Sequence, residues 1–289
     1  MEYIPEGKSY SWNLWFRDKD PEEYLERSKA TVVKHARALV ELQKRGAIVF
    51  DYGNQLREQA ERHGLSIRKK DGTFAYPGFI EEYIRPLFCL GRGPFHWTVL
   101  SGLKKDLFTI DKALVDAFPN DLALKQWIEK AQNQVNILGL PSRVCWLNYR
   151  ERVKMGLIIN RLVKSGKVAA PVVIGRDHID CGSIASPSRE TINMLDGSDA
   201  VADWPLLNFS LNAVSGASWA SFHHGGEAGI GKSLHTGMVI VADGTRDKET
   251  RIERVLTNDP GLGIARHADA GYSAAKKFAT KNKINLPKK

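Results

Sequence analysis

The chain has 289 residues, 43% of them hydrophobic and 26% charged, with a formal net charge of +9. That balance excludes disorder as the default and suits one large or two smaller soluble domains. The positive surplus suits an anionic small molecule or a dinucleotide. Nucleic acid has only the charge to recommend it, since no basic-aromatic motif accompanies it.

The opening MEYIPEGKSYSW lacks the apolar core and cleavage site of a secretory signal. The longest apolar runs, around residues 168–174 and 238–242, fall far short of the ~20 residues a membrane helix needs. Cys89, Cys145 and Cys181 are widely spaced and odd in number, which fits neither a disulfide framework nor a metal-binding CxxC pair. A reducing, cytoplasmic compartment follows, with no membrane and no nucleic acid among the expected partners.

Along the chain, a helix is predicted over Pro21–Lys44, capped by Asp20 with Glu23 completing a capping-box pattern and Gly46 stopping it. A short strand at 47–50 and a helix near 55–63 follow, and the polar, Gly- and Pro-marked stretch 68–78 reads as a linker or domain boundary. Further on come a helix near 151–164, a strand at 169–174, a helix near 200–214 and strands at 218–222 and 238–242. Helices near 248–256 and 270–280 close the chain. Strand, loop and helix in succession predict an α/β fold with parallel pairing, and place ligands in the loops after Phe50, Ile174 and Phe222.

The run GEAGIGKS at 226–233 satisfies the phosphate-loop pattern, in which backbone N–H groups and a lysine hold phosphates. Its context does not fit. Such a loop must open a helix, and here only Leu234, His235, Thr236 and Gly237 precede the next apolar strand. The glycines suit either an anion-binding nest or a tight turn.

Several segments, in order, resemble the urocanase (urocanate hydratase) family: FDYGN at 50–54, YIRPLFC at 83–89, GPF-W at 93–97, Cys145-Trp146, PVVIGRDHID at 171–180, SPSRET at 186–191, DGSDAVADWPLLN at 196–208, HHGG at 223–226, GMVIVADGT at 237–245 and RVLTNDPGLGIARHADAGY at 254–272. The resemblance covers the carboxy-terminal portion of the family's pattern. It implies the α/β urocanase fold, with residues 1–77 as the tail of the NAD-binding Rossmann-like domain and 78–289 as the carboxy-terminal catalytic core region. It implies a hydro-lyase of histidine degradation that adds water to urocanate, using tightly bound NAD+ as an electrophile. Matched residue by residue, it makes Cys145 the active-site cysteine, Asp177 a general base or imidazole-holding carboxylate, and Tyr52, Gly226 and Gly229 cofactor-binding residues. No metal site is expected.

Three positions depart from the family. His96 stands where an arginine would meet the substrate carboxylate, Glu227 breaks the glycine run, and Leu147-Asn148-Tyr149 replaces a small GLG-like segment. A histidine grips a carboxylate less firmly than a planar guanidinium, so the three departures point either to a relative acting on a substituted urocanate or to a homologue of weakened activity. The family's amino-terminal core and most of its Rossmann-like domain have no counterpart in these residues. The expected partner is therefore a complementary amino-terminal urocanase half, or further copies in a homo-oligomer such as a homodimer. The alternatives are a non-catalytic partner of a full urocanase and a phosphate-loop nucleotide binder.

Overall fold

The computed structural model describes residues 10–51, 56–186, 194–225 and 233–286. They divide into two compact units that part between Ile84 and Arg85.

The first unit contains α1 (Tyr10–Lys19), α2 (Pro21–Lys44), α3 (Leu56–Arg62) and a π-helical turn, Ile80–Ile84. Helix α2 keeps its predicted bounds because its start is local chemistry: the Asp20 side chain accepts the Glu23 N–H at 3.0 Å and Pro21 occupies the first turn. Ser28, Val32 and Ala36, four residues apart, make its buried stripe. Val32 and Ala36 join Val49, Ala60, Ile67 and Tyr76 in a small core.

Residues 47–50 form no strand. Val49 is buried between the exposed Ile48 (82%) and Phe50, the alternation of a strand, but pairing stops at a single parallel bridge between Asp51 and Gly78. A strand needs a neighbour along its length, and the described residues supply none. The segment 68–78 is no linker either. Arg68 bridges Phe74 and pairs with Glu61 at 2.6 Å, the Lys69 N–H donates to the Thr73 carbonyl at 2.7 Å, and Tyr76 is fully buried. The rings of Phe50, Phe79 and Tyr83 then meet at 5.1–5.7 Å and hold the chain in the first unit up to Ile84.

The second unit runs through α4 (Arg85–Phe88), β1 (Gly93–Val99), α5 (Lys104–Ala117), α6 (Leu122–Gln134), β2 (Ser142–Leu147), α7 (Tyr149–Lys164), β3 (Val172–Gly175) and β4 (Ile184–Ala185). After a short 3-10 turn come α8 (Asp203–Ser215), β5 (Trp219–His224), β6 (Leu234–Ala242), α9 (Arg246–Asp269) and α10 (Ser273–Lys281). The α/β class stands, but the parallel pairing does not: every pair of named strands is antiparallel. In sequence, β6 follows β5 as a hairpin, which only antiparallel strands can form over so short a connection. Strands β3 and β4 lie in line along one edge of β6 and β5 along the other. Because β3 and β5 both run against β6, they point the same way, and the loops after them leave from one end of the sheet.

One face of this sheet carries the core. Phe95, Trp97, Val99, Cys145, Leu147, Val172, Ile174, Met238 and Ile240 pack there with buried residues of α5, α6, α7 and α9. Helix α9 continues straight through Pro260, where the sequence suggests a stop near Leu256. Its Gly263 lies so close to Cys181 that a Cβ would collide with the thiol and sit 2.9 Å from the Gly182 nitrogen.

A line of buried charges ties these layers together. The Arg152 guanidinium donates to Asp180 at 2.5 and 3.2 Å, and Arg176 donates to both Asp259 oxygens at 2.9 Å. Asn208 and Asn212 add N–H donors to Asp259 at 2.9 and 2.8 Å. Burial works to raise the Asp259 carboxyl, but Arg176 and Asn212 outweigh it and hold the group well below the usual carboxylate range. Removing one partner leaves a charge stranded, so Asp259→Asn is expected to cost about 3–5 kcal/mol in chemical denaturation. A loss under about 1 kcal/mol contradicts this account.

His267 is buried in α9, its Nδ1–H donating to the Gly263 carbonyl at 2.7 Å and its Nε2 facing Arg85 at 3.1 Å. Burial, and then the Arg85 charge, push it down to about 3. The native ring is neutral, so the unfolded chain takes up a proton first. Stability tied to His267 is complete above about pH 6.5 and drains away as pH falls through about 3. Melting curves are expected to show His267→Gln, less stable at neutral pH, losing less on acidification than the parent. All three cysteines are buried and free, and burial pushes each thiol up. A water-soluble thiol reagent is expected to label none of them in the native chain and all of them after unfolding.

Candidate functional site

Residues opposite one another in antiparallel strands share a face, and successive residues alternate between faces. Cys145 lies opposite Phe95, so both point into the core. The next residue, His96, lies opposite Gly175, which lies opposite Val239, which lies opposite Trp219. This row occupies the other face. Two further rows extend it, Ser221 opposite Gly237 and His223 opposite His235. Trp219, His223 and, on the same side, Val144 are exposed. The candidate site is this second, less covered face, at the end of the sheet where β3 and β5 finish.

Three imidazoles gather there. The ring centres of His178, His223 and His235 are all 5.1 Å apart. His178 Nδ1 meets His235 Nδ1 at 3.0 Å, His235 Nε2 meets the Gly225 carbonyl at 2.8 Å, and His223 Nε2 meets the Ser221 hydroxyl at 2.7 Å. Burial pushes His178 down to about 4, helped by Arg176 and the two neighbouring histidines. The ring is therefore neutral around pH 7. His178 and His223 fall within the family-like runs 171–180 and 223–226. His235 falls in neither, and 234–237, which reads as a connection, is in fact the start of β6.

Asp177 is exposed at the end of β3, and its Oδ1 accepts the Ile179 N–H at 2.9 Å. Burial lowers the His96 pKa, and the charges of Asp177, then Asp180, oppose that shift. The structure thus puts Asp177 within electrostatic range of His96. It does not bring it to Cys145. That thiol is 3% exposed on the core side, and the charges bearing on it are those of Arg152, Asp111, Arg92 and Glu151.

What fixes Asp177 and His178 is the residue before them. Arg176 turns inward, donating to the Thr236 carbonyl at 2.5 Å and to Asn208 Oδ1 at 2.8 Å besides its hold on Asp259. The chain then makes a turn closed by the Ser183 hydroxyl, which donates to the His178 carbonyl at 2.6 Å, and rejoins β6 where the Thr236 N–H donates to the Ser183 carbonyl at 2.9 Å.

Tyr52, Gly226 and Gly229 lie outside the described residues. Among the described residues of the first unit no strand runs into a glycine turn and helix, so these residues by themselves do not build a dinucleotide cradle. Ser233 leads into strand β6 and not into a helix, which removes the structural basis of a phosphate loop. No three histidine, cysteine, aspartate or glutamate side chains among the described residues are arranged to hold a metal ion. No described helix is long and apolar enough to cross a membrane.

Comparison with known families accounts for both units. The urocanase Rossmann-like domain matches residues 1–83 and the urocanase C-terminal domain matches residues 86–281. The chain belongs to the urocanase family.

Proposed function

We propose that this chain carries the acid/base part of a urocanate-hydratase-type hydro-lyase, adding water to urocanate or a substituted urocanate in histidine degradation. The observation that carries this reading is the cluster of the His178, His223 and His235 rings on the less covered face of the sheet, with the exposed Asp177 next to His178 in the chain and within electrostatic range of His96. A carboxylate beside neutral imidazoles can orient an imidazole substrate and exchange protons with it. Asp177 is the proposed base. Cys145, matched to the family's active-site cysteine, enters as a protonated thiol, because burial pushes it up and disfavours a thiolate nucleophile.

NAD+, when bound, would supply the electrophilic ring. Tyr52, Gly226 and Gly229 are proposed to contact it, with the rest of the cradle coming from a complementary amino-terminal urocanase segment or from another copy in a homo-oligomer. The cytoplasm is the proposed compartment.

The test is the ultraviolet absorbance of urocanate with this chain, NAD+ and an amino-terminal urocanase half. Absorbance is expected to fall, and Asp177→Asn and Cys145→Ala are each expected to slow it about a hundredfold or more. Full activity in Cys145→Ala would reassign the thiol to core packing. No loss of urocanate with any combination would make the chain a non-catalytic partner of a complete urocanase.

A further inference from the structure

The histidine cluster supports one assignment beyond Asp177, and it rests on the urocanase-type reading of the site. We propose that His178 is the group that accepts the N–H of the substrate's heteroaromatic ring, and that His235 is a positioning residue that fixes the tautomer of His178. The argument is one of donors and acceptors. A carbonyl only accepts, so the 2.8 Å contact between His235 Nε2 and Gly225 places a proton on that nitrogen. In the neutral ring, His235 Nδ1 is then a bare lone pair. Its 3.0 Å partner, His178 Nδ1, must carry the proton between them. His178 Nε2 is left unprotonated, an acceptor, and none of the hydrogen bonds among the described residues occupies it.

The strand beneath is shaped for this. A side chain at Gly237 would put its Cβ 2.5 Å from His178 Nε2 and 2.6 Å from the Ser221 hydroxyl. Glycine there lets the His178 ring lie over β6. Ser221 receives the Gly237 N–H at 3.2 Å and engages His223 at 2.7 Å, and no hydrogen bond joins it to His178 among the described residues. Burial keeps His178 uncharged in the neutral range, and Arg176 reinforces it, so the lone pair persists. The arrangement matches a known logic of active-site histidines, in which the bond at one ring nitrogen decides what the other can do. Here a second histidine, backed by a backbone carbonyl, holds the ring in place of a carboxylate.

The assignment can be read without turnover. Long-range proton–nitrogen NMR correlation on the histidine-labelled full chain near neutral pH is expected to show His178 protonated at Nδ1. Imidazole, added as probe, should move the His178 Nε2 resonance saturably, while 1-methylimidazole, which has no N–H, should not. In His235→Ala the proton of His178 should redistribute toward Nε2 and the imidazole response should weaken at least several-fold. In the completed enzyme, His178→Ala should lower kcat/KM about a hundredfold. An Nε2-protonated His178 in the parent, or equal responses to imidazole and 1-methylimidazole, overturns the proposal. If a variant fails to fold, the tautomer and probe titrations of the parent still decide it. Those titrations succeeding while urocanate is never consumed would sink the hydratase reading and leave the N–H-accepting site standing.

Discussion

The second unit is organised around four charges taken out of water: Arg152, Asp180, Arg176 and Asp259, alternating in sign and each at most 2% exposed at the side chain. Such a line is costly to desolvate, and its Coulombic return depends on good geometry and on satisfying the remaining donors and acceptors. Asp259 meets that demand with both prongs of Arg176 and two asparagine amides. The gain lies less in net stability than in position. Arg152 comes from α7, Asp259 from α9, the asparagines from α8, and the Thr236 carbonyl from β6. With so many elements holding Arg176, the next two residues, Asp177 and His178, have little freedom in where they emerge.

The same constraint explains the odd sequence of α9. Asp259-Pro260-Gly261-Leu262-Gly263 looks like a helix end, and by local propensity it is one. Asp259 must nevertheless reach Arg176, and the helix must approach Cys181-Gly182 closely enough that only glycine fits at 263. Proline lacks an N–H and glycine costs backbone entropy. Burial of Ile252, Val255, Leu256 and Ile264 against the core offsets both. Tertiary demand overrides the local signal.

Features set by neighbours in sequence were legible from sequence. Helix α2 came out with its own bounds because a cap, a first-turn proline and a spaced apolar stripe all lie within the segment. Helix α7 and strands β3, β5 and β6 were recognisable for similar reasons, with ends displaced by a few residues. Pairing sense was not legible, because apolar runs such as 169–174 read alike in parallel and antiparallel sheets. Nor was the failure of 47–50 to form a strand, since a strand is a property of two segments and the second is not among the described residues. At the candidate site, the resemblance points to Asp177 and contains His178 and His223 within its matching runs. His235 escaped because Thr236 and Gly237 interrupt the apolar run of β6, and the facing of Cys145 depended on a register that one residue's slip would invert.

That register has a chemical consequence for substrate choice. The two cations that act on His96 are Arg152 and Arg176, and both are held by buried carboxylates behind the face. What the face itself presents here is a carboxylate, Asp177, and imidazoles that burial keeps neutral at His96 and His178. These groups favour ligands that donate hydrogen bonds, as the N–H of an imidazole ring does. A substrate carboxylate meeting His96 finds a neutral donor in place of the bidentate guanidinium that the family pattern carries. Its counter-charge has to come from beyond this cluster, so a cluster of this make-up suits the ring end of an imidazole-bearing ligand better than an acid end.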